Sequence, residues 1–364
     1  MPNKETLAYQ LLELVAVSGE FPTDQLTRLN GGDSYKLSVV KTLKSKKLLR
    51  TYYRDRLRGY RLTVHSKNAL CADNPMRFGF YLSGSSETNF VKSEITRRLR
   101  LHRIAETTVT MMNASVRIHR DEKPSVFTPV WKEGLSISIR APVFYNSREI
   151  KEMGTVFTKI RGARSVGVLL TINCAFVVYN LGSSLMKWEY KAEMRTKALM
   201  KTVLCRERLS MQYQPEAIQG LIFGNDMHLA YEILSEENKQ YFVLDGNYEH
   251  FFYLTNDRYG ERILQLLCNT ELTERLESIL YDDLYEGTSN IDCDAFDKNG
   301  RPVLFAFFCD LPRIKRFDTA LRLQNKHGTI ICFDFQKDTI AKYCNNQISF
   351  ETIDFKKWER SFFE

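Results

Sequence analysis

Among the acid-x-lysine spacings of this 364-residue chain, Glu149-Ile150-Lys151 and Glu189-Tyr190-Lys191 are the residues that come nearest to phosphodiester chemistry. A restriction-type nuclease sets an acid on one strand and an acid-x-lysine on the next. Two carboxylates then hold Mg²⁺ and the lysine orients water. The Glu149 spacing follows a strand-like run but lacks an Asp on a preceding strand, and Glu133 is the nearest acid of interest. The Glu189 spacing falls in a segment that reads as helix, where it is ordinary solvated charge. Both read as structural before catalytic. Glu149 and Lys151 stay as the candidates of a nuclease alternative, the one reading that calls for Mg²⁺; otherwise no cofactor or metal is expected.

Other catalytic schemes find less. The six histidines never stand one residue apart, as a tyrosine nicking enzyme requires, and GxxxxGK, HExxH and GxSxG are absent. Asp282, Asp283, Asp292, Asp294 and Asp297, with Gly300, miss the positions of a calcium loop and read as a solvated loop.

Charge points elsewhere. Between Lys36 and Arg61 stand ten basic residues and one acid, Asp55, a local +9 in a chain whose formal net charge is +8. One short segment therefore carries the whole excess, and such a concentration suits a polyanion. Within it, Ser34, Tyr35, Lys36 and Ser38 lie at a helix start, where base edges would be read. Lys41, Lys44, Arg54, Arg56, Arg58 and Arg61 would meet phosphates or the minor groove. The bland reading is a solvated basic face on a module used for protein contacts. Tyr52 and Tyr53 read as strand residues rather than stacking platforms.

The elements that must position these residues follow from spacing. Leu7, Leu11, Leu14 and Val15 predict one buried face of a first helix. FPTDQLTRLNGG predicts a short second helix with Thr23 as N-cap, stopped by Gly31 and Gly32. Ser34 is expected to cap a third helix running to about Lys46, with Leu37, Val40 and Leu43 inward and Lys36, Lys41 and Lys44 outward. LLRTYYR and GYRLTV, joined by DRLRG, predict a hairpin. Helix, helix, helix, hairpin is the order of a winged helix-turn-helix, expected over residues 1–70.

Residues 71–90 read as a linker. Residues 91–205 open on a helix of more than five turns and continue with the strand-like runs LSISIR, VFTKI, SVGVLLT and CAFVVYN, then the helical LMKWEYKAEMRTKALMKTVL. Residues 206–364 alternate GLIFG, YFVLD, HFFYL, PVLFAFF and GTIICFDF with helical stretches, and ERILQLLCNTELTERLESIL reads as one helix. Unalternated runs such as VLFAFF imply strands covered on both faces, hence an α/β class with mixed sheets (α+β overall, counting the winged module). GVLLT and GLIFG hint at equivalent strands of two halves. The eight scattered cysteines form no CxxC pair, and no signal peptide or long apolar stretch is visible. The expectation is a reduced, cytoplasmic protein that does not enter a membrane.

GYRLTVHSKNAL, LRLHRIAETTV, and ARSVGVLLT followed by VVYNLG resemble the replication-relaxation family of plasmids and integrative elements of Gram-positive bacteria, over residues 1 to about 205. The resemblance implies a winged helix joined to a restriction-endonuclease-like fold, with a role in plasmid replication or relaxosome processing. The chain departs from a working nuclease because no acid can be placed on the second strand. The leading expectation is therefore sequence-specific binding of double-stranded DNA by a mobile-element protein, as a homodimer, with replication or transfer proteins as further partners. A Mg²⁺-dependent nickase and a protein-interaction scaffold are the alternatives.

Overall fold

The computed structural model describes residues 1–129, 137–153, 163–236, 241–242, 244 and 246–363. Glu133, the run VFTKI and the start of LSISIR lie outside them.

The chain opens with α1 (Leu7–Ser18), the two-residue strand β1 (Phe21–Pro22) and a 3-10 turn at Asp24–Arg28. Then come α2 (Asp33–Ser45) and the hairpin β2 (Leu49–Arg54) and β3 (Leu57–Leu62), with strand order β1-β3-β2, all antiparallel. The expected second helix is thus one tight turn, and Thr23 makes no side-chain cap. Gly32, not Ser34, takes the N-cap of α2. α1 is buried almost all round rather than on one face, because α2 and β3 pack on it from one direction and later helices from the other.

The expected linker is largely helical. α3 (Val64–Asp73) is capped by Thr63, and α4 (Pro75–Leu82) starts at an Asn-Pro pair. Asn74 accepts from the Arg77 amide, and Pro75 occupies the first turn, where its missing N–H costs nothing. A proline read as a breaker is here a helix start. Phe78, Tyr81 and Leu82 of α4 are buried.

α5 (Ile95–Asn113), a helix of 19 residues, packs on α1 and on the sheet that follows, so it serves both the N-terminal elements and the remainder. That sheet comprises β4 (Val143–Asn146), which leads into α6 (Ser147–Lys151), then β5 (Gly167–Leu170) and β6 (Ala175–Gly182). Next come α7 (Tyr190–Met200), a π-helical extension at Lys201–Arg208, β7 (Ile218–Gly224), α8 (His228–Ser235) and β8 (Phe251–Thr255). Strand order is β4-β5-β6-β7-β8, antiparallel as far as β6 and parallel beyond it. β6 pairs with β7 across the expected boundary at 205/206, so the sheet joins the two expected domains. β5 and β7 flank β6 in this one sheet and are not equivalent strands of two halves.

The last third contains α9 (Arg258–Cys268), α10 (Thr270–Tyr281), β9 (Ala295–Phe296) and β10 (Pro302–Phe305). It ends with α11 (Leu311–Gln324), β11 (Gly328–Phe333), α12 (Asp334–Tyr343), β12 (Ile348–Ile353) and α13 (Phe355–Phe363). ERILQLLCNTELTERLESIL is two helices, broken where the Asn269 side chain caps α10. The second sheet runs β12-β11-β10-β9, with only β9 antiparallel. YFVLD forms no strand at its described residues.

Both sheets are covered on both faces, as the apolar runs imply. Phe144, Leu169, Val178 and Leu221 enter one core with Leu11, Phe21 and Trp358, while their neighbours Tyr145, Val168, Val177 and Ile222 enter another. The first core is continuous from α1 to α13. Polar contacts reinforce that junction: Arg28 Nη2 donates to Glu261 Oε1 at 2.5 Å and to Thr110 Oγ1 at 2.7 Å. All eight cysteines are free. Among the described residues no helix is long and apolar enough to cross a membrane.

Candidate nucleic-acid interface

α2 buries Val39, Val40 and Leu43 and turns Ser34, Leu37, Ser38 and Lys41 outward. Those four recur at three- and four-residue spacing, so they form one continuous exposed stripe. Asp33 at the N-terminus and Lys44 in the last turn both suit the helix dipole. Two expectations invert. Leu37 is 62% exposed rather than inward, and Lys36 is buried, its Nζ donating to the Thr27 carbonyl at 2.7 Å with Asp33 at 3.5 Å. Lys36 therefore pins the 3-10 turn to α2 and presents no charge outward. The turn's shortness is the cause, since it leaves a carbonyl within reach of the lysine.

The hairpin turns through Asp55 and Arg56 with both φ values positive (53° and 60°), and Arg54 pairs with Leu57. Two left-handed residues match the twist of the flanking strands, and a side chain there costs about 1 kcal/mol relative to glycine. Arg58 and Tyr60 share the hairpin face that looks toward α2. With Lys41 and Lys44 they line a groove of about 590 Å³ between helix and hairpin. Lys44 Nζ stands 5.5 Å from the Tyr60 ring centre.

The opposite hairpin face is a second correction. Arg61, expected to meet DNA, is buried and ion-paired with Glu20, its Nη2 2.6 Å from Oε2. Arg98 of α5 reaches the same carboxylate, with Nη2 2.6 Å from Oε1, and His102 Nε2 lies 2.9 Å from Oε1. Burial opposes ionisation of Glu20, but hydrogen bonds from His102, Arg98 and Arg61 outweigh it and hold the carboxyl down to about 2. Gly59 makes room for it, since a Cβ there would overlap the carboxylate. Tyr52 lies over both guanidiniums, 3.7 Å from Arg61 and 4.8 Å from Arg98, and its hydroxyl donates to Ser93 Oγ at 2.8 Å. It is a strand residue, as expected, and not a free platform. Arg98 also donates to the Arg54 and Leu57 carbonyls at 2.7 and 3.0 Å, tying α5 to the hairpin tip.

Of the ten basic residues, eight remain exposed: Lys41, Lys44, Lys46, Lys47, Arg50, Arg54, Arg56 and Arg58. Among the described residues only Arg54 of these has an ion-pair partner, Asp55 at 3.5 Å. Ser34, Tyr35 and Ser38 are exposed as expected.

The nuclease candidates separate. Glu149 sits on α6, not on a strand, where it completes a capping box with Asn146. It is buried against Lys123, whose Nζ is 2.8 and 3.0 Å from its two oxygens and also donates to the carbonyls of Ile118 and Phe144. Lys151 is exposed and, among the described residues, shares no partner with Glu149. Neither β5 nor β6 bears an acid. Glu189 precedes α7 and reaches Lys187 at 3.7 Å, while Lys191 lies in the first turn of the helix. Among the described residues no three His, Cys, Asp or Glu side chains are grouped to hold a metal ion.

Sequence reasoning missed Glu20, Arg98 and Leu37. A lone Glu two residues after a helix, far in sequence from its partners, gives no local signal. Leu37 was hidden by a periodicity that fits Val39 equally well. No protein-family model matches the chain, and neither a curated protein nor a solved structure matches it.

Proposed function

We propose that the protein binds double-stranded DNA in a sequence-specific way through α2 and the β2–β3 hairpin, acting as a winged helix-turn-helix. The observation that carries this reading is the pairing of an exposed stripe on α2 with exposed cations, of which among the described residues only Arg54 is ion-paired. Ser34, Leu37, Ser38 and Lys41 run along one edge of α2; Lys44 and Arg58 line the groove beside it with Lys41, and Lys46, Lys47, Arg50, Arg54 and Arg56 are exposed at the helix end and along the hairpin. Serines and an exposed leucine can meet base edges and thymine methyls, while lysines and arginines neutralise phosphates on either side. The hairpin is braced from behind by the Glu20 cluster, so a protruding basic tip is held at a fixed angle to the helix. The resemblance to the replication-relaxation family supplies the setting, control of replication, transfer or transcription on a mobile element.

The test is selection of bound sequences from a random duplex pool, followed by titration of the selected site with the Lys41→Gln/Lys44→Gln variant. Enrichment of one site, with affinity that falls steeply with salt and a shallower slope in the variant, is the expected result. A palindromic site would accord with the homodimer. Affinity independent of salt and indifferent to sequence would overturn the reading.

A further inference from the structure

Beside the hairpin, on the side away from the α2 groove, a concavity of about 520 Å³ opens between the segment leading into α5 and α5 itself. Its walls carry Lys92, Thr96, Arg97 and Arg100, with Glu87 as the acid on the same wall. Arg97 is satisfied by Glu94 at 3.0 Å. Arg100 has no ion-pair partner among the described residues; its guanidinium donates through Nη2 to Ser147 Oγ at 3.2 Å. Directly after Ser147 comes Arg148, which does not itself line the concavity: its side chain is only 10% exposed and stands against Glu87 of the wall. Its Nε, Nη1 and Nη2 make no hydrogen bond among the described residues, and the Glu87 carboxylate stands off at 3.5 Å from Nη2.

A buried guanidinium with five N–H groups and no hydrogen bond is costly, and such groups call for an occupant. Two neighbouring guanidiniums raise the local positive potential further. Burial, together with the Arg100 charge, pulls Arg148 down to about 10 despite Glu87. A planar fork that lacks an acceptor fits a tetrahedral oxyanion in bidentate fashion, and an oxyanion in the concavity reaches the Arg148 fork where Glu87 gives way. We propose that Arg148 and Arg100 form a binding site for a phosphate group, with Glu87 as the internal carboxylate that a bound phosphate displaces. The position favours a nucleic-acid phosphate. Arg61 contacts the carbonyls of Val91 and Lys92 at 3.4 and 3.5 Å, so the mouth of the site adjoins the hairpin. That choice of source rests on the DNA-binding reading; the site itself does not.

The experiment measures the melting temperature of the intact protein in inorganic phosphate against chloride at matched ionic strength, for wild type, Arg100→Gln, Arg148→Gln, Glu87→Gln and Lys41→Gln/Lys44→Gln. A phosphate-specific rise in wild type is expected, lost in both arginine variants, enlarged in Glu87→Gln and kept in the double lysine variant. In chloride, Arg148→Gln should melt no lower than wild type, since it removes an unbonded buried charge; a residue held only for structure would show the opposite. Should Arg148→Gln fail to fold, Arg100→Gln on the wall carries the test. No phosphate-specific rise in wild type, or an equal rise in Arg100→Gln, overturns the site. A parallel duplex titration assigns the source. A loss of about three- to tenfold in Arg100→Gln identifies a DNA phosphate, and unchanged duplex affinity with the phosphate response lost identifies a free phosphate or nucleotide. If wild type shows the phosphate response and binds no duplex, the site stands and the DNA reading fails.

Discussion

Arg98 of α5 meets Glu20 twice over, with Nη2 2.6 Å from Oε1 and Nε 3.1 Å from each oxygen, and both side chains are fully buried. The same guanidinium holds two carbonyls of the hairpin. One arginine, 78 residues from its partner in sequence, thus sets where the basic hairpin stands relative to the rest of the chain.

Glu20→Gln should leave Arg61 and Arg98 buried with no counter-charge. The expected loss is about 3–5 kcal/mol, the usual cost of breaking a buried pair from one side. Urea denaturation checks it; a loss near zero would mean that the cluster is wetter than its geometry indicates.

Acid should act on the same cluster. The Glu20 carboxyl is held near 2 in the folded chain and titrates near 4.5 when unfolded, so its contribution is complete above about 4.5 and disappears as pH falls toward 2. His119 adds a slope at higher pH. Burial, with the Arg77 and Lys123 charges, holds its imidazole down to about 3, whereas the unfolded chain takes up that proton below 6.5. Stability should therefore fall as pH drops from 6.5 toward 3. His119→Gln should flatten that slope in melting temperatures measured across this range and leave the Glu20 part below 4.5 in place.

The hairpin tip should separate stability from binding. Arg56 lies in the left-handed region at φ 60°. Arg56→Gly is expected to stabilise the fold by up to about 1 kcal/mol in thermal denaturation while weakening duplex binding, because it relieves the backbone and removes a phosphate contact. Tighter binding by this variant would remove the tip from the interface.

Glu149→Ala should cost about 3 kcal/mol by stranding Lys123 in a buried site. Burial already depresses the Lys123 ammonium, and Glu149 opposes that. The measurement is chemical denaturation, with Lys123→Met/Glu149→Leu as the partner variant. A double variant near wild type beside a damaged single variant is the expected pattern.

The sequence by itself determined the elements whose signals are local. The apolar spacing of α1 and α5, the hairpin either side of Asp55-Arg56, and the doubly covered strands β6, β7, β10 and β11 were legible because period and β-branching need no distant partner. So was the concentration of charge. It could not determine which cations face out: Lys36 and Arg61 sit in the same basic run as Lys41 and Arg58, and only the carbonyl of Thr27 and the carboxylate of Glu20 draw them inward. Nor could it place Arg148 beside Arg100, or pair Glu149 with Lys123 rather than Lys151. Each of those outcomes depends on the desolvation of a charge by elements outside its own, from nine residues away for Lys36 to tens of residues for Arg61 and Glu149. That quantity does not exist until the chain has packed.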